Sequence, residues 1–381
     1  MDKRVYLLAA IAFVVGMVEL LIGGILDLIA GDLNVSLGKA GLLITVFAFV
    51  FSISGPVLLV LTRKIAPKTV TLAALVVFAI GDLITIYGTS YSTLIVSRVI
   101  LAASGALLTV LSLALASRIT APEHRGRAIG LVIMGISASL VLGLPIGVSM
   151  GHALGWRSPF ILNLALVALL FLSVNLYFGQ VSINTQQTPL RKLIDSLKTK
   201  PILFAHLTTF FFLAGHFTLY GYLTPFVGIK LGFAGSLITV VYFIYGLAAV
   251  TGGGLAGYLT DAIASRRTLL GSITLLFFCL LIIPVSTDHL VLFWVVLVIW
   301  GVLSWAISPP IQSHLVQVAA DTADIQQSLN VTALHMGIAF GTLVGGLVID
   351  NYAVDYNAIV GALLVLFSLA AALVSLRVRN T

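Results

Sequence analysis

Residues 5–29 read VYLLAAIAFVVGMVELLIGGILDLI, an apolar run whose only charges are Glu19 and Asp27. A hydrocarbon core about 30 Å thick takes about 20 residues of helix to cross, so this stretch alone is long and apolar enough to span a bilayer. It is too long for the apolar segment of a signal peptide, carries an acid near its middle and is followed by no small-residue cleavage site. Eleven further runs follow, at roughly 40–61, 70–88, 93–117, 128–150, 159–179, 202–226, 235–259, 268–286, 289–315, 327–350 and 356–376. They are continuous and lack the alternation of barrel strands, so they predict helices. The fold class is therefore an all-α membrane protein with twelve transmembrane helices. Of the 381 residues, 60% are apolar and 9% charged, and the mean hydropathy is +1.16. A soluble domain is about 25% charged, so a water-soluble enzyme, a disordered chain and a nucleic-acid binder are excluded. A single cysteine, Cys279, rules out a disulfide framework and a cysteine-based metal site.

The net charge of +7 finds its explanation in where the cations sit. With the N-terminus inside, the expected outer loops hold only Lys39, Arg157 and Lys230, and Arg98 falls within a span. Every other Lys and Arg lies on the inner side. This bias predicts both termini in the cytoplasm, with the basic balance facing lipid headgroups and not nucleic acid. The longest polar stretch, residues 180–200, reads as a cytoplasmic linker with a short amphipathic helix over 190–197. It divides an N-terminal half, 1–179, from a C-terminal half, 201–381. Shifted by 198 residues the halves match: Gly55 falls on Gly253, Leu61-Thr62-Arg63 on Leu259-Thr260-Asp261, Gly143 on Gly341 and Gly147 on Gly345. Two six-helix halves in parallel repeat are a known transporter layout.

At these residues the chain resembles the major facilitator superfamily, and within it the twelve-helix drug:proton antiporters, near the arabinose-efflux-like, purine-efflux-like and multidrug exporters. The resemblance covers essentially the whole chain. It is carried by Gly16-Met-Val-Glu19, Gly24-Ile-Leu-Asp27 and Gly31-Asp32-Leu33 at the start, and by Gly143-Leu-Pro145-Ile-Gly147 through Gly155-Trp156-Arg157. Trp300-Gly301, Pro309-Pro310-Ile-Gln312 and Gly337-Ile-Ala-Phe-Gly341 add to it. It implies the major facilitator fold with pseudo-twofold halves, and associates Gly143, Pro145 and Gly147 with export. It also implies a cytoplasmic gate at Arg63 and its repeat copy Asp261, Arg266 and Arg267. The N-terminal copy departs from the pattern, with Thr62 where the family has an acid. Near Arg98, Leu101 and Ala102 replace the family's Gln and Gly.

A charge at bilayer centre costs about 2.5–3.5 kcal/mol on insertion scales, so intramembrane ionisable groups read as functional. Glu19, Asp27, Asp82 and Arg98 are the candidates for proton coupling. On one continuous helix Glu19 and Asp27 stand about 12 Å apart along the axis and about 80° apart around it, so both can border one cavity, with Arg98 as counter-charge for either. In the C-terminal half, His216 lies one place from the repeat position of Glu19. His216, Tyr220, Tyr222, Tyr245, Trp305, Asn330 and His335 are candidates for binding a small-molecule substrate, and Tyr242 for lining the same wall. His206 and His314 read as packing residues near the helix ends. Gly252-x-Gly254-x-x-Gly257 fits a dinucleotide fingerprint but ends a membrane helix and follows no strand. No ATP-binding loop, nucleophile–base pattern or metal-ligand spacing is present, so no enzyme, cofactor or metal is expected. The expected activity is proton-coupled export, by alternating access, of small amphiphilic solutes such as drugs, amino acids or nucleosides, by a monomer in a lipid bilayer. A proton-coupled importer or facilitator with the same fold is the rival, and a non-transporting sensor or scaffold the rival of another class.

Overall fold

The computed structural model describes residues 2–179 and 197–377. The amphipathic helix expected over 190–197 and most of the linker lie outside them. The described residues form helices, without strands, and twelve segments are long and apolar enough to cross a membrane. In chain order the α-helices are α1 (Arg4–Gly24), α2 (Leu26–Asp32), α3 (Leu37–Thr62), α4 (Pro67–Tyr87), α5 (Tyr91–Arg118), α6 (Arg125–Ala138), α7 (Leu144–Leu154) and α8 (Ser158–Tyr177). There follow α9 (Lys200–Tyr220), α10 (Leu223–Leu231), α11 (Ser236–Ile263), α12 (Ser265–Ser286), α13 (Leu290–Trp305), α14 (Ser308–Val318), α15 (Ala323–Asn351) and α16 (Asp355–Arg377).

The local sequence explains the ends. Proline sits in the first turn of α4, α8, α9 and α14, where the amide it lacks would have had no intrahelical partner. Ser90 caps α5, its Oγ accepting from Thr93 N–H at 3.2 Å. Gly232 ends α10 in the left-handed region at φ 68°. Between α6 and α7 a π turn runs over Ser139–Gly143. Pro145 cannot donate to the carbonyl four residues back, so the ladder there is already broken, and a π turn is one way helices absorb this.

The chain divides into two compact units. One comprises residues 2–36, 46–179 and 234–243, the other 37–45, 197–233 and 244–377. In the first, α1 is central and packs on α5, α6 and α8, while α4 packs on α5 and α8. In the second, α9 takes the central place, against α15 and α16. Small residues permit these approaches: a Cβ at Gly135 would overlap Ala9 O, and one at Gly341 would overlap Ala214 O. The segments 37–45 and 234–243 each group with the unit made mostly by the other half of the chain, and they occupy nearly the same place in the 198-residue repeat. In the second unit, Gly38 N–H donates to Asp350 Oδ1 at 2.9 Å, and the hydroxyls of Thr45 and Thr342 pair at 2.8 Å.

Candidate functional site: two unlike clusters at one repeat position

The first expected span is not one helix. It breaks at Ile25 (φ −124°, ψ 22°), after Gly23 and Gly24. Glu19 therefore sits on α1 and Asp27 on α2, and the angular spacing expected of a continuous helix does not apply. The seventh span breaks the same way at Tyr222 (φ −121°, ψ 23°). Counted from these breaks, Glu19 and His216 hold the same place, six residues before each.

Around Glu19 the first unit is ionic. Arg98, on α5, is 1% exposed. Its Nη1 donates to Val18 O at 3.2 Å, and its guanidinium lies 4.2 Å from the centroid of the Phe47 ring. Glu19 and Asp82 both act electrostatically on it. Asp82, on α4, is 0% exposed and accepts from Asn163 Nδ2 of α8 at 2.8 Å. Beside them the hydroxyls of Thr85 and Ser97 meet each other and Gly81 O, one hydroxyl donating to the other and the second donating to the carbonyl. The structure thus joins Glu19, Asp82 and Arg98. Asp27 instead faces His152 on α7, its electrostatic partner. Gly151, next to His152, packs on Ile25 and Leu28 either side of Asp27.

At the equivalent place the second unit is aromatic and uncharged. Trp300 Nε1–H donates to His216 Nδ1 at 3.1 Å. An indole only donates, so Nδ1 must be bare and the imidazole proton sits on Nε2, which meets Tyr245 Oη at 3.2 Å. Tyr220 stacks on the imidazole at 5.1 Å. A second ring proton would break the indole bond, so this histidine is built as a fixed donor. Tyr245 and Phe47 are repeat equivalents, one beside His216 and one beneath Arg98.

The remaining candidates are distributed elsewhere. Tyr222 Oη donates to Thr342 O at 2.8 Å, and the side chain fills the space over Gly41 and Gly345. Trp305 ends α13 and is 40% exposed, so Trp300 has the place beside His216. Tyr242 packs near Gly24. Asn330 donates to Thr209 Oγ1 at 3.2 Å, and His335 Nδ1 to Val331 O at 2.9 Å within its own helix. His206 and His314 bond Gln326 and Ser375, each at 2.9 Å. Arg63, Asp261, Arg266 and Arg267 are all exposed. Thr62 turns its hydroxyl back to Leu58 O at 2.7 Å. Gly143 and Gly147 abut Met17 and Leu21 of α1, on either side of Pro145.

Sequence reading missed Asn163, His152 and Trp300 as partners, and it missed two ion pairs. Asp32 accepts from Arg157 Nη1 at 2.8 Å and Trp156 Nε1 at 3.0 Å. Those hydrogen bonds, from Trp156 and then Arg157, hold its carboxyl below the usual carboxylate range. Lys230 meets Asp355 at 3.0 Å. Residues 32 and 230, and 157 and 355, are repeat equivalents, so the second pair is the first with its signs exchanged. Applying the 198-residue shift to charges as well as glycines would have found it.

The sequence profile described as the Major Facilitator Superfamily matches residues 8–342. The chain belongs to the major facilitator superfamily. This major facilitator is 32% identical over 372 residues to the uncharacterized MFS-type transporter YbcL of Bacillus subtilis (strain 168), covering 97% of this chain and 95% of that one. It is 26% identical to a probable sugar efflux transporter of Pasteurella multocida (strain Pm70), over 96% and 90% of the two chains. Among solved structures, a bacterial homologue of the human lysosomal transporter Spinster superposes with a TM-score of 0.79 at 16% identity over 100% of both chains. A D-xylose–proton symporter does so with a TM-score of 0.77 at 15% identity, over 98% and 96%. Those likenesses show the fold. The protein is a multi-pass membrane transporter of this superfamily, and superfamily members carry small-molecule substrates.

Proposed function

We propose that this transporter is a proton-coupled exporter of small solutes, working by alternating access in a bacterial plasma membrane with both termini in the cytoplasm. The observation that carries the reading is Arg98, buried and acted on by two carboxylates, Glu19 and Asp82. Charges are expensive to bury unless compensated. Two acids beside one guanidinium are neutral when one proton is bound, so gaining or losing a proton changes the charge of the whole cluster. Glu19 is the carrier in this reading: it is only partly buried where Asp82 is sealed, so it can meet water and solute in turn. Arg98 holds it when ionised. Asp27 with His152 is an accessory proton site.

The export direction draws support from relatives in Pasteurella and Helicobacter named as probable sugar efflux transporters. The same names add sugars to drugs, amino acids and nucleosides as solutes to be tested. The cluster of His216, Tyr220, Tyr245 and Trp300, buried in this structure, is aromatic and without net charge, which suits uncharged solutes better than anionic or cationic ones.

Inverted vesicles holding the purified transporter test the reading. Solute should accumulate inside when a proton gradient is imposed, and Glu19→Gln, which mimics a permanently protonated acid, should abolish that accumulation while leaving the protein folded. Full gradient-driven accumulation by Glu19→Gln removes Glu19 as carrier. Accumulation only in right-side-out vesicles makes the protein an importer.

A further inference from the structure

Asp82 and Asn163 face each other across α4 and α8, both 0% exposed. One hydrogen bond joins them, from Asn163 Nδ2 to Asp82 Oδ2 at 2.8 Å. This leaves Asp82 Oδ1 and Asn163 Oδ1, both buried and both without a donor among the described residues. Neither oxygen can satisfy the other, since a carboxylate and an amide carbonyl only accept. A proton on Asp82 Oδ1 answers both needs. It turns that oxygen into a donor for Asn163 Oδ1 and closes an acid–amide ring of two hydrogen bonds. Turning the Asn163 amide over changes only which carboxyl oxygen needs the proton.

The charges around the pair agree. From α5, Arg98 acts on Asp82; from α1, Glu19 acts on that same Arg98; α8 brings the uncharged Asn163, and the nearby Thr85 and Ser97 are uncharged. One guanidinium cannot neutralise two carboxylates. We propose that Asp82 and Asn163 form a further proton-binding site, distinct from Glu19 and from Asp27, in which Asn163 positions Asp82 as the neutral acid and leaves Arg98 to Glu19. At the repeat positions of Asp82 and Asn163 stand Leu280 and Gly361, so the second unit has no copy of this site. The inference rests on the proton-coupled reading for any part in transport, but the protonation of Asp82 stands or falls by itself.

Infrared spectroscopy of the purified transporter at neutral pH decides it. The wild type should show the carbonyl band of a protonated carboxyl group. That band should be lost in Asp82→Asn, kept in Glu19→Gln, and moved to higher frequency in Asn163→Ala, or in Asn163→Val if the alanine variant does not fold. An amide at position 82 reproduces every hydrogen bond of the neutral acid, so Asp82→Asn should melt at or above the wild-type temperature. A wild type lacking the band, or a band that survives Asp82→Asn, overturns the proposal in favour of an ionised carboxylate hydrated by water. So does an Asp82→Asn protein that fails to fold or melts well below the wild type. A band unmoved without Asn163 removes Asn163 from the site. If Glu19→Gln still transports while the band behaves as expected, Glu19 is not the carrier and this site remains.

Discussion

At the scale of single residues, Arg98 carries the most electrostatic weight. Removing one partner of a buried ionic group costs about 3–5 kcal/mol, because the group left behind is uncompensated. Arg98→Ala should therefore lower the melting temperature of the detergent-solubilised transporter sharply. Arg98→Lys should recover only part of the loss. It keeps the charge but gives up the planar fork that bonds Val18 O and lies against Phe47. An Arg98→Ala protein that melts with the wild type would show that no ionised acid depends on it. Glu19, Asp82 and Arg98 were legible in the sequence because a charge in an apolar run stands out. Asn163 and Trp300 were not, since an uncharged amide or an indole in a span looks like ordinary packing until its partner is known. Asp27 was legible as a charge, and Arg98 was expected to answer either it or Glu19; Glu19 acts on Arg98, while the electrostatic partner of Asp27 is His152.

At the scale of elements, length and apolarity gave the twelve crossings directly, because the bilayer fixes both. Of the interruptions within crossings, only the one beside Gly143 and Pro145 showed in the sequence, as residues that weaken a helix interior and permit a bend. Hydropathy measures side chains, while the breaks at Ile25 and Tyr222 and the π turn at Ser139–Gly143 are events in backbone hydrogen bonding. Gly23 and Gly24 were visible only as permissive residues, and the seventh span reaches the same break with one glycine, Gly221. The glycines that matter are those where another helix's carbonyl comes close. Gly341 is one, against Ala214 O. Gly341→Leu should force α9 and α15 apart and cost about 1–3 kcal/mol of overpacking strain, read as a lower melting temperature. Gly253→Ala, where nothing lies within 4 Å of the new methyl, is the control and should not lower it. Equal effects from the two would mean that the close approach at Gly341 is not what its small size serves.

At the scale of the whole molecule, the repeat has kept an ion pair while exchanging its signs, as Asp32–Arg157 and Lys230–Asp355. Position therefore matters more than polarity. Partly exposed pairs of this kind contribute about 0.2–1 kcal/mol. Asp32→Lys or Arg157→Asp alone should lose that amount and add repulsion, and the double exchange should restore much of it in a double-mutant cycle. A double exchange no better than the worse single change would show that Trp156, which also donates to Asp32, fixes the polarity. The lowered proton affinity of Asp32 sets the sign of the pH dependence. Its contribution is complete above the ordinary carboxylate range and fades as pH falls through the lowered value, so the deficit of Asp32→Asn should close in acid. The exchange of segments 37–45 and 234–243 has a consequence for how the protein is made. When α3 leaves the ribosome, Gly38 and Thr45 have no partners, because Thr342 and Asp350 are about three hundred residues from being synthesised. The first unit likewise waits for residue 243. Neither unit can be finished in order of synthesis, so early helices must stand in the bilayer incomplete, and the last helices to enter close what the first ones began.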